Sequence, residues 1–206
     1  MPSQPVTDEK MIGDLYRKLA RTAALAKRYV ELGPEDVARA REFWLKLGDA
    51  EKSRIIWRAA GLMKGEGVEM DEEEVARYLE RLLDMMFREG PGPKLTYTLF
   101  QASCESVGMG IDTGLLVLVM VTLMGALIRL APDWETAESV AKIFMWSLAL
   151  FAENFTYMKE AVFTRATGAA PTLFRNLLRA YASDVGREFA EKFYRIISGD
   201  GHVEWK

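Results

Sequence analysis

One stretch limits what this chain can fold into. Thr113–Ile128, TGLLVLVMVTLMGALI, is 16 residues without a charge, fenced by Asp112 and Arg129. An amphipathic surface helix needs a polar face, and this stretch has none. It predicts a helix covered all round, by protein or by lipid. A membrane span takes about 20 apolar residues, whereas a run of about 10–14 is more often a buried core helix. The stretch falls between these lengths. A second apolar run, Ile143–Ala152, is too short to span, and Ala131-Pro132-Asp133 separates the two with a turn. The resulting expectation is an all-α fold, a single-domain helical bundle wrapped around a central hydrophobic helical hairpin.

At 206 residues the chain is long enough to bury a full helix inside one domain. Its net charge of −3 gives no general attraction to nucleic acid, so no nucleic-acid partner is expected. Cys104 is the only cysteine, which rules out an internal disulfide and fits a reducing compartment. The opening MPSQPVTDEK lacks the apolar core of a signal peptide, and the closing SGDGHVEWK carries no tail anchor. A cytoplasmic protein is expected, with 1–7 as a disordered lead, 8–198 as the bundle and 199–206 as a polar tail.

The remaining helices follow from spacing and punctuation. Ile12, Leu15, Leu19 and Ala23 recur at helical intervals after Asp8, and Gly33-Pro34 stops that helix near Leu32. Val37, Ala40, Trp44 and Leu47 line the next, and a short helical piece carries Ile55, Ile56, Ala59, Ala60 and Met63. Gly61, Gly65 and Gly67 mark 61–70 as a loop. Asp71 and Glu74 resemble a capping box ahead of Val75, Tyr78, Leu79, Leu82, Leu83 and Met86. Gly90-Pro91-Gly92-Pro93 breaks the chain before a helix at Leu95–Val107. Asp133 caps a helix to about Val162, and a last helix carries Phe174, Leu178, Tyr181, Val185, Phe189 and Phe193.

Chemistry-bearing constellations are missing from this pattern. His202 is the only histidine and lies in the polar tail, so neither a Cys/His metal site nor a histidine triad is expected. Gly61–Gly67 lacks phosphate-loop and dinucleotide spacing. The acidic run Asp71–Glu74 suits a solvated helix N-terminus, and Arg17, Lys18, Arg21, Lys27 and Arg28 form a solvated basic face. The expectation is a protein that is not an enzyme and uses no cofactor or metal.

The order of parts is more informative. A short helix leads through Gly-x-x-x-Gly into the uncharged helix, and a second apolar helix follows. The stretch Glu105-Ser106-Val107-Gly108-Met109-Gly110-Ile111-Asp112-Thr113-Gly114-Leu115 resembles the first homology motif of the B-cell lymphoma-2 family of apoptosis regulators. Glu105, Gly110 and Gly114 match that motif, and Ile111 and Asp112 are close substitutes. Pro91-Gly92 and Trp146 echo further positions of the family. The resemblance runs from about Pro91 to Leu178. Where the family has Trp-Gly-Arg, this chain has Thr113-Gly114-Leu115. Gly168-Ala169-Ala170 stands at the second motif, and Trp44–Asp49 or Trp57–Leu62 at the third.

The resemblance implies a hydrophobic groove that receives amphipathic helices of pro-apoptotic proteins, and with it mitochondrial-membrane association. It puts Tyr78, Leu82 and Met85 on one wall, Leu99, Ala102, Glu105 and Ser106 on the next, and Asp112, Gly114, Leu115 and Leu118 at the start of the uncharged helix. With Leu115 where the family's arginine pairs with a partner aspartate, binding is expected to lean on apolar burial. The implied role is an inhibitory, pro-survival member of viral or invertebrate type. The alternative reading is a structural homo-oligomer from a thermophile or its virus. Only two Gln and two Asn stand among abundant Ala, Glu and Arg, which suits that source.

Overall fold

The computed structural model describes residues 9–108 and 111–168, together with 172, 173, 176 and 180. Among the described residues seven helices run in order: α1 (Glu9–Tyr29), α2 (Pro34–Lys46), α3 (Asp49–Gly65), α4 (Glu72–Arg88), α5 (Pro93–Gly108), α6 (Thr113–Ile128) and α7 (Trp134–Thr167). The described residues contain no strand, and the all-α expectation holds. The chain divides into two compact units, Met1–Met158 and Lys159–Lys206. The first holds α1 to α6 and most of α7. In the second, α7 ends at Thr167, and Gly168 takes a left-handed φ of +69° with its N–H on the Thr164 carbonyl. Phe174, Leu178, Tyr181, Val185, Phe189 and Phe193 of the expected last helix lie outside the described residues.

Most helix ends obey the local signals. Pro34 opens α2, where its missing N–H costs nothing, and the Asp36 carboxylate accepts the Gly33 N–H at 2.8 Å. Asp71 accepts from the Glu73 amide, Asp112 from Leu115 at 2.7 Å, and Asp133 from Thr136 at 2.7 Å. The expected loop at 61–70 is corrected. Helix α3 continues through Gly61 to Gly65, and only Gly67 needs a left-handed φ, +85°. A glycine inside a helix costs about 1 kcal/mol. The buried face of Ile55, Ile56, Ala59, Ala60 and Met63 outweighs that cost.

Helix α4 is the centre of the bundle. It buries eight of its 17 residues, against five of 16 in α6. Its backbone approaches α2, α3 and α5. The Trp44 ring of α2 stacks on Phe87 with centroids 5.2 Å apart, and Phe144 of α7 meets Phe87 edge-on at 6.0 Å. The Trp44 indole N–H donates to Asp84 Oδ1 at 2.7 Å. Gly90, at φ +69°, closes α4 against α2. A Cβ there would lie 2.6 Å from Val37 Cγ1, so only glycine fits.

The expectation of an all-round cover for α6 is corrected. Leu116, Val119, Met120, Leu123 and Leu127 are buried, but Val117, Leu118 and Val121 are 41%, 47% and 44% exposed on the opposite side. An uncharged helix need not be enclosed, because more than half of a folded surface is apolar anyway. The backbone of α6 approaches that of α3. Helix α7 binds α1 and α2 as well as α4. Trp146 Nε1 donates to the Ala23 carbonyl at 3.0 Å, and Lys18 pairs with Glu153. Among the described residues no helix is long and apolar enough to cross a membrane.

A polar clasp joins α2 to α7. Asp36 is buried and accepts from Ser139 Oγ at 3.1 Å and from Lys142 Nζ at 3.3 Å. Burial alone would raise its carboxyl. The Gly33 amide, Lys142 and Ser139 outweigh burial and hold it below the ordinary carboxylate value.

This arrangement separates two apolar substitutions that the sequence alone would rank the other way. Phe87→Ala empties the aromatic contact and is expected to lower stability by about 3–5 kcal/mol. Leu118→Ser, within the uncharged helix, is expected to change it by about 0.5 kcal/mol or less. Urea unfolding of the two variants, followed by circular dichroism, checks the order.

Candidate functional site

Helix α5 presents two stripes, each at spacings of three, four and seven residues, and a hollow lies along each. Thr98, Gln101, Ala102 and Glu105 face α4, while Pro93, Thr96, Tyr97 and Phe100 face α1. Between the stripes, Leu95, Leu99 and Ser106 are buried. One helix therefore forms a wall of both hollows.

The hollow between α4 and α5 has a volume of about 210 Å³. It gathers five of the residues expected in the groove: Tyr78, Leu82, Met85, Ala102 and Glu105. Tyr78, Leu82 and Met85 arrive together because they lie at steps of four and three on α4. Leu82 and Ala102 form a buried apolar floor and Met85 is half-buried at the side. The Tyr78 hydroxyl donates to the Ala102 carbonyl at 3.3 Å and bridges the two helices. Burial pushes this phenol up to about 12. Ser106 opposes the shift, negative Glu105 adds to it and Arg81 opposes it.

The other expected groove residues lie elsewhere. Leu99 and Ser106 are fully buried and belong to the core behind the hollow. Asp112 is the N-cap of α6, and a Cβ on Gly114 would lie 3.1 Å from its Oδ1, so that glycine is tied to its own cap. Leu115 packs partly against the core, and Leu118 faces outward. None of these α6 residues lines the hollow. Of the third-motif alternatives, Trp44 is buried in the core and Trp57 is 43% exposed on α3. Ala169 and Ala170 of the second motif lie outside the described residues, as do Met109 and Gly110 of the first.

Arg81 is the residue that sequence reasoning missed. It lines the hollow beside Tyr78 and Leu82, is exposed, and has no ion-pair partner among the described residues. Its signal was in the spacing, three residues after Tyr78 and four before Met85. The site so built has an apolar floor, a cation, Arg81, and an anion, Glu105, on its rim. Such a set can seat an apolar side chain and orient charges beside it. Among the described residues no group of three or more His, Cys, Asp or Glu could hold a metal ion.

No family model, curated protein or solved structure matches the chain.

The bridging phenol gives a pH signature. A tyrosine with its folded value raised from 10.0 to about 12 contributes stability that is complete below pH 10 and lost as pH rises toward 12. Tyr78→Phe is expected to weaken that alkaline loss while costing about 1 kcal/mol at neutral pH for the missing hydrogen bond. Denaturation midpoints between pH 8 and about 12 measure both effects.

Proposed function

We propose that this protein is a non-enzymatic interaction module that binds amphipathic helices, and that it regulates apoptosis by holding the death-motif helices of pro-apoptotic partners. The observation that carries the reading is the convergence of Tyr78, Leu82, Met85, Ala102 and Glu105 on one hollow. Those residues were nominated by resemblance and helical spacing, and they belong to two different helices. A docked helix buries an apolar anchor against Leu82 and Met85 and leaves its polar face in water. Met85 adapts to anchors of different shape through its unbranched, polarisable chain.

Arg81 fills a chemical gap in that reading. The family's arginine that meets a partner's aspartate is replaced here by Leu115. Arg81 supplies a guanidinium at the same kind of apolar site from α4 instead, and its planar fork suits a carboxylate. In this proposal the partner's acidic residue meets Arg81, and Glu105 repels helices that carry acid at the other end.

Fluorescence anisotropy with a panel of labelled amphipathic death-motif peptides tests the reading. Saturable binding is expected for some members, lost when the peptide's central leucine becomes glutamate. Arg81→Glu is expected to weaken binding about tenfold, roughly 1.4 kcal/mol. Silence across the panel at roughly 10 μM contradicts the proposal.

The exposed apolar stripe Val117, Leu118 and Val121 favours a second reading, self-association through α6. That reading expects a dimer in sedimentation velocity that Leu118→Glu dissociates. A monomer at all concentrations excludes it.

A further inference from the structure

The second hollow of α5 is the larger, about 510 Å³ between α1 and α5. That volume falls within the range of small-molecule sites, roughly 300–1,000 Å³. Leu15, Leu19, Ala23, Phe100 and Trp146 line it with apolar surface. Its inner polar atoms are already engaged. The Trp146 indole N–H donates to the Ala23 carbonyl at 3.0 Å, and the Thr96 hydroxyl donates to the Gly92 carbonyl at 2.9 Å. A molecule entering this hollow therefore meets hydrocarbon and aromatic faces, with no unpaired donor from those two groups.

The mouth is different. Tyr16 and Tyr97 are 67% and 61% exposed and flank the opening. Among the described residues Lys27 is the one charged side chain in the lining, and no ion pair engages it. A lysine can lay its methylene stem along an apolar wall and keep its ammonium in water. The hollow is thus an apolar chamber with a single cation at its edge. The occupant whose chemistry repeats that pattern is a chain of hydrocarbon with one negative head.

We propose that the α1/α5 cavity binds a monoanionic amphiphile, a free fatty acid, with its acyl chain along Leu19, Phe100 and Trp146 and its carboxylate at Lys27. This site is independent of the α4/α5 hollow. It uses the opposite stripe of α5 and shares none of that hollow's residues.

Isothermal titration of the full chain with sodium decanoate, kept below its micelle concentration, tests the site. One saturable site is expected, with affinity falling about three- to fourfold for each methylene removed from the acid. Lys27→Glu is expected to weaken decanoate binding at least tenfold, while Lys27→Arg keeps it. Neutral 1-decanol binds the wild type and the Lys27→Glu variant alike. Ala20→Trp, on the exposed edge of the lining, fills the chamber and removes both ligands. A thermal melt of each variant confirms folding, and the Lys27 pair decides the matter if the Ala20 variant does not fold. Unsaturable uptake, decanoate binding unaltered by Lys27→Glu, or adsorption to phosphatidylcholine vesicles without binding of the monomeric acid overturns the proposal.

Discussion

The indole of Trp44 sets the terms for the rest of the structure. Its ring is buried and must find aromatic or aliphatic cover, and its N–H must find an acceptor, since an unpaired buried donor costs several kcal/mol on apolar transfer scales. Helix α4 provides both within one turn. Phe87 takes the ring and Asp84 takes the proton. Phe87 then offers its edge to Phe144, so three helices far apart in the chain share one contact. The Asp36 clasp fixes the same two partners, α2 and α7, through charge and hydrogen bonds rather than area. Gly90 allows the α4–α5 turn to sit directly on Val37. The centre of the bundle is therefore the helix with the strongest contrast between its faces, not the one with the least charge.

That placement explains where recognition surfaces arise. With α4 held by α2, α3 and α7, α5 packs beside it and leaves a stripe free along each flank. The α4 side carries Arg81 and Glu105 around a small apolar floor, which suits an anchor residue from a helix and its neighbouring charges. The α1 side has a larger and drier chamber with one lysine at its mouth. The two chemistries differ because α4 and α5 each bring one charge to the smaller hollow, Arg81 and Glu105, whereas the larger is lined from α1 mainly by alanine and leucine with the one charge of Lys27.

Much of the fold was legible. The bounds of α6 coincide with the uncharged stretch, because Asp112 is a cap and charged residues fence it. The α4 pattern was legible because polar and apolar residues alternate at helical period over its whole length. Gly61 and Gly65 misled, since a glycine signals a break only where tertiary burial does not override it. The exposed side of α6 was not legible. A helix apolar on every face carries no information about which face is covered, and only its neighbours decide. Five of the residues that the resemblance implies line one hollow, and Arg81 was passed over as surface charge although it shares the α4 stripe of Tyr78, Leu82 and Met85. The α1/α5 chamber was hidden because Leu15, Leu19 and Ala23 read as a core stripe, and only Leu19 of these is fully covered.

Native-state hydrogen exchange, read amide by amide, tests the claim that α4 is the centre. The account predicts that amides along Val75–Phe87 exchange only through global unfolding and are the slowest in the chain, while those on the outer side of α6 around Leu118 exchange through smaller openings. Slower exchange throughout α6 than in α4 would contradict it and return the uncharged helix to the middle of the fold.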